Sequence, residues 1–280
     1  MIDASTKICC LIGDPVSNSL SPAMHNAAFS YHGINNVYTA FRVKKEGLGA
    51  AIAGMREFDF LGMNVTIPHK KYVMEHLDII DPDAADIGAV NTIVNRNGVL
   101  TGYNTDWLGA MDALSGGLLQ TKGKALLIGA GEAARAVGHA LAISGKGVLI
   151  TNRTMDRARS MADRLKKLTD ASPVTMEEVY DNIKDVDLIV NCTPVGMKGF
   201  DPRSPLDMQF IPGGSTVFDI VYNPMQTELL RYARERGAKV VYGYEMFIGQ
   251  GARSYELWTG RKAPVEEMRR VVLKQLRGAE

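Results

Sequence analysis

Leu126-Leu-Ile-Gly-Ala-Gly-Glu-Ala-Ala-Arg-Ala136 is the stretch that decides the fold. Apolar residues run into Gly129, Gly131 and Ala134 complete a Gly-x-Gly-x-x-Ala pattern, and an alanine-rich helical pattern follows. Gly129 permits a tight turn, Gly131 lets backbone approach a pyrophosphate, and Ala134 is small enough for helix to pack on strand. The amides opening the new helix then face the ligand's negative charge. A glycine pattern alone is weak evidence, but this one sits where the mechanism needs it, between a strand pattern and a helix pattern. It predicts a dinucleotide-binding α/β unit in mid-chain, so another unit must precede it.

Composition sets the outer limits. A chain of 280 residues accommodates two domains. Its 46% hydrophobic and 22% charged residues are ordinary for a globular protein, and a net charge of +1 suggests neither a nucleic-acid nor a membrane surface. No apolar run approaches the roughly 20 residues of a membrane span. Met1-Ile-Asp-Ala-Ser lacks the pattern of a signal peptide. Cys9, Cys10 and Cys192 make no disulfide framework or metal spacing, which predicts free thiols in a reducing cytoplasm and no bound metal. Cys9 and Cys10, adjacent on a strand, would point to opposite faces.

Before the glycine loop, Lys7–Ile12 reads as a buried strand, Asn36–Val43 as a second and Phe60–Pro68 as a third, with helices over 23–31 and 45–56. Ser21 before Pro22 reads as a helix N-cap. Ser19 and Ser21 would also present two hydroxyls beside that helix N-terminus, which suits a carboxylate. Asn64 and Thr66 fall at the carboxyl end of a strand, where open α/β sheets bind ligands. Lys70 falls in the first turn of the next predicted helix, where its charge opposes the dipole. Residues 88–95 and 98–106 read as two further strands, and Asp106 as an N-cap for the helix 107–114. The alternation gives a mainly parallel sheet separate from the one that Leu126 opens.

After the glycine loop, the strand 147–151 ends in Asn152-Arg-Thr154. NAD-binding versions of the unit place a carboxylate there for the ribose 2′-hydroxyl, whereas the Arg153 fork and small donors suit a 2′-phosphate. Arg157 adds a cation one helical turn on, while Asp156 keeps the ribose role open. Val186–Asn191, Ser215–Tyr222 and Val240–Gly243 read as later strands, with helices over 226–236, 244–258 and 264–276. Gln250 lies mid-helix between Gly249 and Gly251, where two glycines are unexpected on propensity and suggest close approach of a ligand or backbone.

Ser19-Leu-Ser-Pro, Asn64-Val-Thr-Ile-Pro-His-Lys70, Gly88-Ala-Val-Asn-Thr, Asn104-Thr-Asp106, Gly129-Ala-Gly, Asn152-Arg-Thr, Asn191-Cys-Thr-Pro-Val-Gly-Met and Gln250-Gly-Ala, in this order, resemble the shikimate dehydrogenase family. The resemblance implies a two-domain α/β protein. An N-terminal substrate domain (1–106) is completed by C-terminal helices (244–280), and a Rossmann-type NADP domain (107–243) lies between. It implies reversible, NADPH-dependent reduction of 3-dehydroshikimate to shikimate, with Lys70 and Asp106 as catalytic pair. Ser19, Ser21 and Tyr222 would hold the substrate carboxylate, and Thr66, Asn91, Asp106 and Gln250 the ring hydroxyls. Gly129, Ala130, Gly131, Glu132, Ala133, Asn152, Arg153, Thr154, Arg157, Thr193, Ile220, Gly243 and Met246 would line the cofactor. Glu132 departs from the family, which usually has glycine there. A quinate/shikimate enzyme with relaxed NAD or NADP use, and a non-catalytic metabolite sensor, are the alternatives; monomer and homodimer stay open.

Overall fold

In the computed structural model, which describes residues 2–278, two sheets form in two compact units. One unit comprises the chain up to Thr105 together with the segment from Gln250 onward, and the other runs from Asp106 to Gly249.

The first unit begins with β1 (Lys7–Gly13), α1 (Ser21–Tyr31), β2 (Asn36–Arg42), α2 (Leu48–Glu57) and β3 (Gly62–Val65). It continues through β4 (Ile79–Ile80), α3 (Pro82–Ile87), β5 (Thr92–Arg96) and β6 (Val99–Tyr103). The strand order is β2-β1-β3-β5-β6-β4. Pairings β1/β2, β1/β3 and β4/β6 are parallel, and the β3/β5 and β5/β6 pairings antiparallel. Both faces are covered, which is why β1 is apolar without alternation. Cys10 and Ile12 join a core with Ile52, Met55, Met63 and Ile93 on one face. Cys9, on the other, is as fully buried as Cys10, and burial pushes the Cys10 thiol up to about 12.

Around that other face Tyr38, His25 and Trp258 are packed ring to ring. His25 stacks on Tyr38 at 4.5 Å and tilts against Trp258 at 5.1 Å, and burial pushes its pKa down to about 3, which keeps it neutral. The Trp258 indole donates to the Ile93 carbonyl (3.0 Å) and lies against Gly62, where any Cβ would collide with the ring.

The second unit opens with α4 (Asp106–Ala113), β7 (Lys124–Ile128), α5 (Glu132–Ile143), β8 (Val148–Thr151), α6 (Met155–Leu165) and β9 (Ala171–Pro173). It runs on through α7 (Met176–Asn182), β10 (Val186–Asn191), β11 (Thr216–Asp219), α8 (Glu228–Glu235) and β12 (Lys239–Tyr242). The order β12-β11-β10-β7-β8-β9 is wholly parallel, and read from β9 it is the doubly wound order 3-2-1-4-5-6. Its switch point lies between β7 and β10. The helix α9 (Gly243–Thr259) carries the boundary between the units, and α10 (Val265–Arg277) belongs to the first. Among the described residues no helix is long and apolar enough to cross a membrane.

Four local expectations are corrected. Ser21 is the first helical residue of α1 and Leu20 occupies the cap, without a side-chain hydrogen bond, so the serine hydroxyl is not spent on capping. Asp106, expected just before its helix, is the first residue of α4. The segment after His69 is a short 3₁₀ turn, Tyr72–His76, because residues 77–80 already turn into β4. Lys70 therefore precedes the turn and opposes no helix dipole. The strands expected over 60–68 and 215–222 stop at Val65 and Asp219, beyond which isolated backbone bonds such as Thr66 N to Ile12 O and Ile220 N to Asn191 O replace the regular ladder.

Replacing the buried indole leaves a cavity and an unpaired carbonyl. Trp258→Ala is expected to lower unfolding free energy by about 3–5 kcal/mol in denaturant titrations followed by circular dichroism. A loss below about 1 kcal/mol would contradict the packing described here.

Candidate active site

In the first unit the candidate residues come from four chain segments that meet at one end of the sheet. β1 and β3 are parallel neighbours, so the loops leaving them start side by side. The Thr66 amide donates to the Ile12 carbonyl and Asp14 to the Ile67 carbonyl, both at 2.9 Å. Gly13 lacks the Cβ that would strike the Thr66 side chain. Ser19 and Ser21 lie on the first loop and Thr66 and Lys70 on the second, and the Ser21 amide donates to Ser19 Oγ at 3.2 Å. Ser21 is buried, while Ser19, Thr66 and Lys70 are half-buried.

β5 runs antiparallel to β3, which brings its beginning to the same end: Asn64 pairs with Thr92, and Val65 N donates to Asn91 O (2.9 Å). β6 returns there, with Thr92 opposite Tyr103. Asn91 is buried, and its Oδ1 accepts from the Thr105 amide at 2.7 Å, fixing the residue that immediately precedes Asp106 in the chain. Gln250 arrives on α9. One turn later the Ser254 hydroxyl donates to the Gln250 carbonyl (3.0 Å) and bonds Thr92 (2.9 Å) and Thr105 (3.1 Å).

Beneath these groups lies a polar network that sequence patterning left out. The Asn64 amide donates to Asn91 O (3.1 Å), Thr92 Oγ1 (3.0 Å) and Ser254 Oγ (3.1 Å), and its Oδ1 accepts from the Tyr38 hydroxyl at 2.7 Å. Thr92 and Thr105 hydroxyls lie 3.1 Å apart. An asparagine between Met63 and Val65 in a buried strand was the available signal, since buried polar side chains need partners.

In the second unit the candidates occupy the carboxyl ends of successive strands. Gly129 has φ of +111°, and a Cβ there would lie 3.1 Å from the Cys192 carbonyl and the Thr193 side chain, so only glycine suits the switch point. Ala134 is fully buried behind it. Gly131 caps α5 without a side-chain hydrogen bond, and a Cβ there would meet nothing within 4 Å, leaving open space at the helix N-terminus. Ala130 is buried, and Glu132 and Ala133 are half-buried. At the end of β8 the Asn152 amide donates to the Thr154 carbonyl (2.9 Å), shaping the turn that carries the exposed Arg153, and the exposed Arg157 follows in the first turn of α6. Neither guanidinium forms an ion pair among the described residues, whereas Arg159 on the same helix is paired with Asp156. Thr193, Ile220 and Gly243 follow β10, β11 and β12, and Gly243 has no Cβ to strike the Ile220 and Val221 carbonyls. Met246 is buried and Tyr222 stacks on Phe247 at 5.0 Å. This open helix terminus, with free cations one strand away, fits a dinucleotide carrying an extra phosphate. Asp106, at the start of α4, is buried.

Asp219 closes β11 in full burial, and this burial pushes its carboxyl up to about 6 against three hydrogen bonds that pull it down.

Three family models match the chain: the shikimate dehydrogenase substrate binding domain at residues 11–93, shikimate/quinate 5-dehydrogenase at 116–197, and the shikimate 5′-dehydrogenase C-terminal domain at 243–273. The shikimate dehydrogenase (NADP(+)) of Moorella thermoacetica is 45% identical over 284 aligned positions, covering 99% of this chain and 96% of that protein. A shikimate dehydrogenase solved in complex with NADP+ superposes with a TM-score of 0.93 at 40% identity, covering 99% of this chain and 98% of the other. The Thermus thermophilus shikimate 5-dehydrogenase, solved with NADP(H) and shikimate, gives 0.89 at 37% identity over 96% and 100%.

The Asp219 carboxyl makes stability depend on pH. An unfolded aspartate titrates near ~3.9, below the folded value of about 6. The folded state therefore holds this proton more tightly. The contribution is complete below the unfolded value and is lost as pH rises through about 6. Asp219→Asn, neutral throughout, is expected to remove about 3 kcal/mol of that decline between pH 4 and pH 7. Parallel stability–pH curves for variant and parent would refute the assignment.

Proposed function

This chain belongs to the shikimate dehydrogenase family, and we propose that Lys70 and Asp106 carry its chemistry, the NADP-dependent interconversion of 3-dehydroshikimate and shikimate. The observation that carries the reading is the convergence of Ser19, Ser21, Thr66, Lys70, Asn91 and Gln250 at one end of the first sheet. Hydroxyl, amide and ammonium groups gathered there suit a small polyhydroxylated carboxylate, which needs many directional partners and one cation.

Residues 1–106 and 244–280 form the substrate domain in this reading, and 107–243 the NADP domain. Ser19 and Ser21 hold the substrate carboxylate with Tyr222, and Thr66, Asn91 and Gln250 hold ring hydroxyls. Lys70 Nζ donates to the ketone oxygen as negative charge develops and then gives up its proton to it. Asp106, an acceptor through both oxygens, takes the hydrogen bond of the neighbouring hydroxyl and fixes the ring. NADPH, when bound, supplies the hydride. The amides opening α5 take its pyrophosphate, and Asn152, Arg153, Thr154 and Arg157 take the 2′-phosphate. Three buried, unbridged cysteines accord with a cytoplasmic enzyme.

Reduction of NADP with shikimate as sole substrate, followed at the nicotinamide absorbance, tests the activity; no turnover would overturn it. Turnover on quinate at comparable kcat/KM would widen the substrate class to the quinate/shikimate type. Lys70→Ala is expected to lower kcat by about 10²–10⁴ while shikimate affinity stays within about threefold. Undiminished turnover would remove Lys70 from the mechanism. Arg153→Ala is expected to raise KM for NADPH about tenfold or more and leave KM for NADH nearly unchanged; equal effects on both would argue against a 2′-phosphate contact.

A further inference from the structure

Asp219 takes no part in the chemistry above, yet it is fully buried at the carboxyl end of β11 with a ring of donors around it. Its Oδ1 accepts from the Asn191 side-chain amide and from the Val221 backbone, both at 3.0 Å. Its Oδ2 accepts from the Thr227 hydroxyl at 2.7 Å. Thr227 Oγ1 in turn accepts from the Leu230 amide (3.3 Å) and so caps α8. Asn191 is the end of β10, paired in register with Asp219. Its Oδ1 accepts from the Thr193 amide (3.0 Å) and hydroxyl (2.7 Å), and its Nδ2 also donates to the Val195 carbonyl at 3.1 Å. One continuous chain of bonds therefore runs from Thr193 through Asn191 and Asp219 to Val221 and Thr227.

We infer that Asp219 is a positioning residue for the cofactor, a clamp that sets the two loops carrying Thr193 and Ile220. The inference rests on the reading that these loops line NADP. The backbone shows why a clamp is needed there. β10 and β11 stop pairing at Asn191 and Asp219; beyond them the Ile220 amide reaches the Asn191 carbonyl at 3.1 Å, and the Lys198 amide the Asn223 carbonyl at 2.9 Å further out. Each loop must then leave the sheet at a fixed angle without a ladder to hold it. A carboxylate is acceptor-only, and three donors converge on it, so no donor of the clamp lacks a partner. Gly196 in the β10 loop lies close enough that a Cβ would sit 3.3 Å from Thr227, so the loop closes over the clamp with no side chain between. Cys192, the other titratable group beside Asp219, is held protonated by burial and by the carboxylate charge. Tyr222, next in the chain after Val221, is additionally held by its stack on Phe247.

Removing the clamp should loosen cofactor binding more than anything else, whereas a merely structural role would reduce folded protein and leave the affinity of the remainder unchanged. The test is calorimetric titration of NADP into the enzyme without shikimate, alongside KM and kcat. Asp219→Ala is expected to raise Kd for NADP about tenfold, with kcat at saturation and KM for shikimate within about threefold. Asp219→Asn keeps an acceptor toward Asn191 and Val221, and should rescue NADP affinity to within about threefold of the parent. Asn191→Ala breaks the chain from its other end and should match Asp219→Ala, which decides the matter if the latter does not fold. Ile220→Trp places bulk on the β11 loop and reports whether the loop meets NADP at all. NADP affinity lost in Ile220→Trp but retained in Asp219→Ala and Asn191→Ala would overturn the clamp and leave the cofactor reading standing. Affinity retained in all three would overturn both.

Discussion

The Asn64 side chain is the constraint on which the first unit depends. Four hydrogen bonds join it to β2 through Tyr38, to β5 through Thr92 and to Asn91 just before it, and to α9 through Ser254. In a buried site a primary amide left partly unpaired costs on the order of 1–3 kcal/mol per missing bond, so these partners hold one arrangement against others of similar packing. That arrangement delivers Asn91, Thr66 and Gln250 to the same end of the sheet. The proposed substrate ligands are thus a polar surface over a fully bonded polar layer, rather than isolated groups over an apolar core. Ser254 and Gln250 are one helical turn apart on α9, so the bonds of Ser254 to Thr92 and Thr105 also fix the depth of the glutamine.

The second unit solves a related problem with charge. Its strands are all parallel, and Asn191 ends β10 much as Asn64 lies near the end of β3. An asparagine side chain can replace a lost ladder partner because it offers a peptide-like donor and acceptor. Asn64 satisfies its acceptor with a tyrosine hydroxyl, whereas the Asn191 amide turns to a buried carboxylate. The carboxyl is displaced toward neutrality by its burial, which shows that three hydrogen bonds do not fully offset desolvation. Such a group is retained at a cost to stability, and in this position it bonds the loops that leave β10 and β11 rather than the core.

The architecture was legible because it rests on periodicity and punctuation. Buried parallel strands read as apolar runs, and the glycine loop announced a tight turn followed by a helix, found at Gly129 with its positive φ and at α5. Candidate site residues stood out where residue type was unusual for its place, as with Gln250 between glycines and the carboxylate-free turn after β8. Roles that rest on long-range partners were not. Ser21 resembles a helix cap by local rule, yet the helix takes Leu20 as its cap. Thr92 and Ser254 are ordinary residues in ordinary elements, and their importance lies in contacts across 162 sequence positions. Nor does any local pattern separate Asp219 from a surface aspartate ending a strand.

Glu132 remains the residue that the glycine loop explains least, and electrostatics accounts for its tolerance. It occupies the first turn of α5, where the helix dipole favours a carboxylate, so the fold gains from it. The difficulty is only with a phosphate arriving at the same terminus. Arg135, one turn on, is partly buried, and its guanidinium pKa is lowered by that burial and by the charges of Arg164 and Arg157, while Glu132 raises it. The carboxylate thus lies within the field of a cationic cluster whose members repel one another. Three cations, Arg135, Arg157 and Arg164, stand against this one carboxylate. Neutralising one neighbour of a crowded cluster relieves repulsion, and what is left still favours an incoming anion. A glycine at this position would leave the arginines without that counter-charge, so the acid and the surrounding arginines are best understood as one unit of charge.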